Sequence, residues 1–299
     1  MRVILVFVDG LGLGDQNPRT NPCARPGIRL LACFENGDGP VLAERGGFLV
    51  PTDAAMDVDG LPQSATGQTT IFSGINCAKL LGRHLQGYPN ETLREVLRER
   101  SILKQVKNIG RSSAFINAYR PLFFRLKEKT KWRLSTTTVA TLAADNPFFR
   151  LEDLKERRSI YHDYTNERLI QRGFDVPRFS AEDAAAILSR ASEKVDFVLY
   201  EYFLTDRAGH SQLMDKAIQE IRKLEDFLDA LLSRVDLNET LIILTSDHGN
   251  IEDLSVKSHT RNRAMTLLWG CHAETLKERI HTLEDITPAI IQTMKQRQN

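Results

Sequence analysis

The chain has 299 residues, of which 41% are hydrophobic and 26% are charged. These values are ordinary for a globular protein, and the length is enough for one large α/β domain or for a domain with an inserted subdomain. The 40 Lys and Arg residues nearly balance the 39 Asp and Glu residues. The resulting net charge of +1 argues against a nucleic-acid-binding protein and against attachment to an anionic membrane surface.

The cysteines and the apolar segments indicate the cellular compartment of the protein. The four cysteines are far apart and form no CxxC pair, which argues against a zinc site made of thiolates and favours a reduced, cytoplasmic protein. No segment approaches the ~20 apolar residues that span a bilayer. The apolar N-terminus ends at Asp9, too soon for the hydrophobic region of a signal peptide, and we interpret it as a buried strand.

Four short apolar segments predict buried strands of a parallel sheet. Helical spacing of apolar side chains predicts helices between them, one of them after an N-cap at Asn90. This alternation predicts an α/β fold with a mostly parallel sheet flanked by helices. The predicted strands are VILVFV (3–8), SAFINA (113–118), DFVLYEYFL (196–204) and TLIILTS (240–246), and the predicted helices are 65–81, 91–106, 212–234 and 283–296.

Residues 120–180 interrupt the alternation of strands and helices. This segment begins with a basic and aromatic stretch and shows helical pieces without an obvious buried strand. We predict a core made of residues 1–119 and 181–299, with residues 120–180 inserted as a small cap or substrate-binding subdomain. Its basic side chains form either a solvated surface or contacts to an anionic group of the substrate. The candidates for substrate contact are Arg120, Arg125 and Lys131.

Three of the predicted strands lead to an aspartate. Asp9 directly follows the first strand, Asp206 comes after the third, and Asp247 directly follows the fourth. Because the carboxyl ends of parallel strands converge on the ligand crevice of an open α/β sheet, we expect the three carboxylates to meet there. Carboxylates that share a buried site repel one another, so this arrangement requires cations.

Histidines near these aspartates supply further metal ligands. His210 lies four residues after Asp206. His248 directly follows Asp247, and His259 lies in the segment KSHTRN. A mixed set of Asp and His is typical of zinc, manganese or iron sites. Together with a hydroxyl group the set is large enough for two divalent ions, which we predict to be manganese or zinc and to serve phosphoryl transfer.

The hydroxyl-rich segment LPQSATGQTTIFSG (61–74) contains candidate nucleophiles. Ser64 precedes a predicted helix whose first N–H groups would favour an incoming phosphate. A serine at this position is either a plain helix N-cap or a nucleophile activated by metal. Thr66, Thr69 and Thr70 are alternative nucleophiles that the chemistry of the residues leaves open.

Four blocks of sequence resemble the alkaline phosphatase superfamily, and most closely its branch that contains cofactor-independent phosphoglycerate mutase and phosphopentomutase. The blocks are VFVDGLGLGD, QSATGQTTIFSG, LTDRAGHS, and TSDHGNIED followed by KSHTRN. Their order along the chain also matches. The resemblance implies an alkaline-phosphatase-like fold and a phosphoserine intermediate on Ser64. It further implies one metal ion held by Asp9, Ser64, Asp247 and His248, and a second held by Asp206, His210 and His259.

Two features depart from the pattern of the mutases. Gln68 stands where the mutases carry a histidine. The segment 120–180 is also much shorter than the domain that phosphoglycerate mutases insert between the nucleophile and the second metal block. The remaining histidines lack partners at metal-ligand spacing, and we assign them to the surface or to structural roles. They are His84, His162, His272 and His281.

The function predicted from the sequence is a metal-dependent phosphohydrolase that acts on a small phosphorylated metabolite through a phosphoserine intermediate. A phosphomutase is the first alternative, a phosphodiesterase or nucleotide pyrophosphatase is the second, and a non-catalytic metal-binding module is the third. The absence of a CxPxR-like or SxPxR-like motif argues against a sulfatase. The sequence predicts neither the particular metabolite nor the oligomeric state.

Overall fold

The computed structural model describes residues 1–35, 37 and 39–295. Its centre is a seven-stranded sheet with the strand order β2-β3-β7-β6-β1-β5-β4. The strands are β1 (Arg2–Val8), β2 (Val41–Ala43), β3 (Gly47–Thr52), β4 (Ser113–Phe115), β5 (Phe197–Tyr202), β6 (Thr240–Ser246) and β7 (Ala264–Gly270).

The sheet is mostly parallel, because five of the seven described strands run in one direction. Strand β1 pairs in parallel with both β5 and β6, and β4 pairs in parallel with β5. Strand β7 runs antiparallel to β6 and to β3, and the edge strand β2 is antiparallel to β3. The predicted sheet is therefore confirmed at its centre, while the three strands β2, β3 and β7 were not predicted.

Helices cover both faces of the sheet. The α-helices are α1 (Ser64–Ser73), α2 (Cys77–Leu81), α3 (Glu91–Arg100), α4 (Ile102–Asn108), α5 (Pro121–Phe124), α6 (Glu128–Lys131), α7 (Thr136–Ala143), α8 (Leu151–Lys155), α9 (Glu167–Ile170), α10 (Ala181–Lys194), α11 (Leu204–Ser211), α12 (Met214–Leu232), α13 (Ala273–Leu276) and α14 (Ile286–Lys295). Short 3₁₀ turns lie at Pro22–Ala24, Glu44–Gly46 and Leu283–Asp285.

The alternation of side chains along β1 divides the core into two layers. Ile4, Val6 and Val8 face one layer, which contains the apolar sides of α10 and α12. The alternate residues Val3, Leu5 and Phe7 face the other layer, which contains apolar residues of α1, α4, α7 and α14. Because both faces of β1 are covered, its sequence is apolar at every position from 3 to 8.

Two of the predicted helices are each divided into two. The predicted helix 91–106 breaks at Ser101, whose hydroxyl caps α4 by accepting a hydrogen bond from the Lys104 N–H. The helix predicted after Ser64 ends at Gly74, which adopts a left-handed backbone conformation with φ of 74°. Asn90 caps α3 as predicted. The predicted C-terminal helix is confirmed to Lys295, and its last predicted residue, Gln296, lies outside the described residues.

The segment 120–180 is described in full and contains the short helices α5 to α9. It contains no strand, although single bridges join Ile160 to Asn117 and Phe149 to Ala118. Its buried side chains are shared with the rest of the protein. Leu154 and Leu169 pack in the layer of α10 and α12, and Val139 packs in the layer of α1. The boundaries of an inserted cap at 120 and 180 stay a prediction.

Among the described helices, none combines the length and the apolar character that a membrane span requires.

Candidate functional site

The register of the sheet brings three strand ends to the same edge. Val8, the last residue of β1, is paired with Tyr202 at the end of β5 and with Ser246 at the end of β6. Asp9 and Asp247 therefore follow neighbouring strands directly. After β5 the chain enters α11, which carries Asp206 in its first turn.

Gly10 lets β1 approach α11 closely. It has a φ of +70°, and a Cβ atom at this position would lie 2.9 Å from the Cβ of Asp206. A side chain here would be strained and would also collide with the aspartate. The glycine after Asp9 therefore permits the close approach of two predicted metal ligands.

Asp9, Asp247 and His248 form the first candidate metal group. Their ligand atoms all lie within 4.8 Å of one another. The His248 Nε2 atom lies 3.3 Å from Asp9 Oδ1 and 3.6 Å from Asp247 Oδ2. The hydroxyl of Ser64 lies 3.0 Å from the same nitrogen. The four residues that the resemblance assigned to one metal ion are thus brought together.

Asp206, His210 and His259 lie beside this first group. The Nε2 atoms of the two histidines are 3.3 Å apart, and they lie 3.3 Å and 3.5 Å from Asp206 Oδ1. The ring of His259 stacks on that of His248 with 3.8 Å between centroids. His248 also groups with Asp206 and His259 within metal-binding distance, so the two candidate sites adjoin.

The three histidines share one orientation. The Nδ1 atom lies 3.0 Å from the Lys257 carbonyl oxygen in His210, 2.8 Å from that of Pro62 in His259, and 3.3 Å from that of Gly249 in His248. A carbonyl oxygen only accepts, so these contacts favour a proton on Nδ1 and leave Nε2 as the atom that would bind a metal ion after it loses any proton. Backbone contacts of this kind orient the histidine ligands of metal sites.

The electrostatics of the group favour a bound cation. Burial and the neighbouring Asp9 raise the pKa of Asp247 well above its usual value. Burial alone would lower the pKa of His248, but the carboxylates of Asp247 and Asp9 raise it to about 10. For Asp206 the effect of burial is opposite and would raise the pKa, but His259, His248 and Asn250 hold the pKa of Asp206 at about 2.

Two buried carboxylate oxygens also lack hydrogen-bond donors. They are Asp9 Oδ1 and Asp247 Oδ2, which accept no hydrogen bond from any described residue. Buried polar atoms normally have partners, and a buried carboxylate without one is costly. Lone pairs from oxygen and nitrogen that converge in this way fit a divalent metal ion. The residues present thus support divalent metal binding.

The environment of the hydroxyl groups distinguishes Ser64 from the three threonines. Ser64 is the first residue of α1, and its N-cap is Gln63, so the interpretation of Ser64 as a plain N-cap is wrong. Thr66 and Thr69 donate to the carbonyl oxygens of Gln63 and Ala65. A third threonine hydroxyl, on Thr70, accepts from the Cys77 N–H. All three threonines are buried, whereas Ser64 lines a cavity.

The predicted role of the helix N–H groups needs correction. The N–H groups of Ala65 and Thr66 both donate to the carbonyl oxygen of Leu85. They are therefore engaged and do not receive an anion at the start of α1. A phosphate that binds beside Ser64 would instead depend on metal ions and on cationic side chains such as Arg207, which lines the same cavity.

Glu252 is a structural centre of the site that the sequence analysis did not identify. It is 1% exposed, and its carboxylate accepts hydrogen bonds from the N–H groups of Gly12 and Asn250 and from the side chains of Thr260 and Asn262. These partners lie next to the loops that carry Asp9, Asp247 and His259. The block TSDHGNIED contained the signal, because a carboxylate follows the candidate ligands closely.

Gln68 has a contact that the sequence did not predict. Its side-chain amide donates to Asp9 Oδ2 over 3.2 Å, and it lines the same cavity as Ser64. The amide thus orients one of the candidate metal ligands. An amide does not take up or release a proton near neutral pH, so Gln68 cannot act as an acid or a base where the mutases carry histidine.

Two adjoining cavities open beside the candidate metal ligands. The first, about 280 Å³, is lined by Asp9, Ser64, Gln68, Asp206 and Arg207, among others. The second, about 380 Å³, is lined mainly by aromatic and aliphatic side chains. The residues that line both cavities are Tyr88, Ser135, Glu201 and Phe203. Ser64 therefore faces the first cavity, and the second cavity extends from it.

The three basic residues predicted to contact substrate lie in different surroundings. Arg120 lines the second cavity. Lys131 lies 3.3 Å from Glu128 and over the ring of Phe123, and Arg125 is exposed. Neither Lys131 nor Arg125 is among the residues that line the two cavities. The geometry thus supports Arg120 alone among the three.

The sequence analysis assigned His162 to the surface or to a structural role, and the structure places it against two aromatic rings at the wall of a cavity. Its ring packs between those of Tyr161 and Phe203, with centroid distances of 4.1 Å and 4.4 Å, and it lines the second cavity. Burial, together with the charges of four neighbouring arginines, lowers its pKa to about 3. Its isolated position in the sequence gave no signal of this placement.

Comparisons with known proteins agree with this geometry. Residues 172–298 match the sequence family described as the Metalloenzyme superfamily. A 2,3-bisphosphoglycerate-independent phosphoglycerate mutase of Myxococcus xanthus is 30% identical over 127 residues, and one of Metamycoplasma hominis is 28% identical over 126 residues. Each alignment covers 40% of this chain and 25% of the relative. The alignments thus span about a quarter of the length of these relatives.

Two solved structures share the fold over nearly the whole chain. The PH0037 protein from Pyrococcus horikoshii has a TM-score of 0.57 at 16% identity and covers 100% of this chain and 98% of its own. The alkaline phosphatase from the Antarctic bacterium TAB5 has a TM-score of 0.52 at 15% identity and covers 99% of each chain. The chain therefore has an alkaline-phosphatase-like fold, and its residues 172–298 are similar to the Metalloenzyme superfamily.

Proposed function

We propose that this protein is a metal-dependent phosphohydrolase that releases phosphate from a small phosphorylated metabolite through a phosphoserine intermediate on Ser64. The observation that carries the proposal is the position of the Ser64 hydroxyl, which lies 3.0 Å from His248 Nε2 and faces a cavity. The three threonine alternatives have no such position, because their hydroxyls are buried and bound to backbone groups.

The proposed ligands divide into two sets. Asp9, Ser64, Asp247 and His248 would hold one divalent ion, and Asp206, His210 and His259 would hold the other. Two such ions, manganese or zinc, would supply charge neutralisation for the phosphoryl group and lower the pKa of the serine hydroxyl.

The proposed reaction has two steps, formation of a phosphoserine and its hydrolysis. Ser64 loses its hydroxyl proton to solvent, and its Oγ attacks phosphorus. The bond from phosphorus to the alcohol oxygen breaks, the alcohol leaves with a proton from solvent, and the serine carries the phosphoryl group. Water then attacks phosphorus, which releases inorganic phosphate and restores the serine. Arg207 at the cavity wall would hold the oxygens of the phosphoryl group.

Two observations favour hydrolysis over transfer within the substrate. A mutase must retain its dephosphorylated intermediate and exclude water, which calls for an extensive closing domain. Here segment 120–180 is short, and its buried side chains pack in both core layers. Gln68 also replaces the histidine of the mutases. A phosphomutase is the second candidate, favoured by the relatives named phosphoglycerate mutase.

The first test uses manganese-loaded protein and the substitution Ser64→Ala. Phosphate release should fall by about 1,000-fold or more, because the covalent route is lost. The matched control is Ser233→Ala, which changes an exposed serine outside both cavities. Phosphoenzyme trapped on Thr66 or Thr69, or full activity of Ser64→Ala, would refute the role of Ser64.

The second test separates the reaction classes. Phosphate release and positional isomers are followed together with 3-phosphoglycerate, ribose 1-phosphate and p-nitrophenyl phosphate, with bis(p-nitrophenyl) phosphate as the diester. Phosphate release from monoesters supports the hydrolase. Isomerisation without release identifies a mutase, faster cleavage of the diester identifies a phosphodiesterase, and metal binding without turnover identifies a non-catalytic module.

A further inference from the structure

The second cavity is built differently from the first. The cavity that contains Ser64 is lined by charged and polar side chains such as Asp9, Gln68 and Asp206. The walls of the second cavity are mainly aromatic and aliphatic, and include Phe115, Phe123, Leu126, Leu134 and Tyr161. Cavities of a few hundred Å³ with apolar walls and few polar groups are typical small-molecule sites.

The aromatic wall of this cavity is held firmly by its own packing. Tyr119 lies 4.2 Å from Phe123 and 5.0 Å from Phe148 between ring centroids. The hydroxyl of Tyr119 is paired with that of Thr138 over 2.7 Å. Because the rings contact one another at tilted and edge-on angles, they form a preformed surface and need no rearrangement to receive a ligand.

Two large apolar side chains stay exposed at the rim. Tyr88 is 66% exposed and Leu122 is 65% exposed, and both line the second cavity. Tyr88 also lines the first cavity, so it stands where the two cavities join. Covering such surfaces with an apolar group is favourable.

We propose that the second cavity binds the organic part of the substrate, and that the substrate is a phosphate monoester of an alcohol that carries an apolar or aromatic ring. This inference rests on the proposed function, because it assumes that the phosphoryl group lies beside Ser64. The continuity of the two cavities argues for a single ligand that occupies both, since Tyr88, Ser135, Glu201 and Phe203 line each of them.

The charged side chains of the second cavity fit this ligand. Arg120 and Glu201 lie among its otherwise mainly apolar walls. The carboxylate of Glu201 accepts a hydrogen bond from the Thr137 hydroxyl and borders the junction of the cavities. It could therefore accept a further hydrogen bond from a donor placed between the phosphate and the ring of the substrate.

The test compares two esters whose leaving alcohols have similar acidity, 3-phenylpropyl phosphate and propyl phosphate. Their ratio of kcat/KM with the manganese-loaded protein reports the contribution of the ring. The corresponding phosphonates, which cannot be hydrolysed, are titrated by calorimetry. We expect the ring to improve both kcat/KM and affinity by about tenfold or more, because it leaves water for an apolar cavity.

A variant locates the effect in the cavity. Tyr88→Ala should reduce the preference for the ring by about threefold or more, because it removes apolar surface at the junction. The matched control, Leu80→Ala, removes another exposed apolar side chain that lines neither cavity, and the preference should persist.

Each outcome decides between the two proposals. If no ester is hydrolysed but 3-phenylpropyl phosphonate still binds more tightly than propyl phosphonate, the proposed function fails and the apolar cavity remains a ligand site. If the two phosphonates bind equally, the inference about the ring is overturned whether or not phosphate is released. An equal preference in Tyr88→Ala and the unchanged protein also overturns the placement of the ring in this cavity.

Discussion

Glu252 shows how a single buried carboxylate organises several loops. It accepts hydrogen bonds from groups that follow β1, β6 and the loop of His259, so it fixes these segments relative to one another. Gly12 and Gly249 approach it so closely that a Cβ atom would lie 2.6 Å and 2.2 Å from its Oε1 atom. Its role is therefore to position residues that we propose as metal ligands.

The lowered pKa of His162 predicts that the free energy of unfolding decreases in acid. Burial and then four neighbouring arginines lower its pKa from the ordinary value of 6.5 to about 3. Between these values the unfolded chain binds a proton that the folded protein does not bind. Stability is therefore lost as pH falls from 6.5 towards 3, by up to about 1.4 kcal/mol per pH unit.

The substitution His162→Phe should remove this dependence, because an apolar ring replaces the titrating one between Tyr161 and Phe203. The measurement is urea unfolding of chelator-treated protein between pH 6.5 and 4.5. His281→Asn changes an exposed histidine and should leave the slope of stability against pH nearly as it is. Identical slopes for the unchanged protein and His162→Phe would show that His162 is charged in the folded state.

At the scale of the helices, Gly67 determines how closely α1 approaches the metal ligands. A Cβ atom at this position would lie 2.8 Å from the backbone oxygen of Asp247 and 2.9 Å from its Cβ. Gly67 has a helical conformation, so alanine would be preferred by the isolated helix. The close contact with Asp247 explains why this position carries glycine and not alanine.

The substitution Gly67→Ala should therefore displace α1 and move Ser64 away from His248. Small displacements of a reacting group are costly, and we expect phosphate release to fall by about 100-fold while circular dichroism stays native-like. Gly39→Ala adds the same methyl group at a site where, apart from the two chain neighbours, no atom of the described residues lies within 4 Å, so its rate should match the unchanged protein. A Gly67→Ala variant with full activity would show that the helix tolerates the shift.

Periodic and local signals predicted the elements that position the site. The apolar segments found β1, β5 and β6, since strands buried on both faces carry apolar residues throughout. Strand β3 contains Pro51, and β7 follows a loop that carries candidate ligands, so neither segment stood out as a parallel strand. The breaks at Gly74 and Ser101 were missed because the apolar spacing continues across them.

The candidate metal ligands could be predicted because each lies at a strand end or next to another ligand in the sequence. The cavity walls could not, because Tyr88, Arg120, His162 and Glu201 come from separate segments and meet only in the folded chain. No local pattern indicates that His162 packs on Phe203. The same reason explains why Arg125 and Lys131 were predicted beside Arg120, although neither lines the cavity.

At the scale of the whole molecule, metal binding depends on folding, because the sheet brings the candidate ligands together. The ligands come from the ends of β1, β5 and β6, which are distant in sequence and meet only when the sheet forms. A metal ion that binds only the folded protein stabilises it by mass action, by about 2.7 kcal/mol per site at one hundred times the dissociation constant. Removal of metal should therefore lower Tm by roughly 5 °C or more.

The substitution Asp247→Asn should abolish most of this difference in Tm between manganese-loaded and chelator-treated protein. Asp247 is fully buried, and one of its carboxylate oxygens has no hydrogen-bond donor among the described residues, so the amide would replace a charged ligand by a neutral one. Because each variant is compared with itself, the effect of the substitution on the fold cancels. Asp175→Asn changes an exposed aspartate paired with Lys155, and it should retain the full difference. Equal metal-dependent shifts in Asp247→Asn and the unchanged protein would mean that manganese binds elsewhere, since a buried ligand cannot be lost from an occupied site without weakening it.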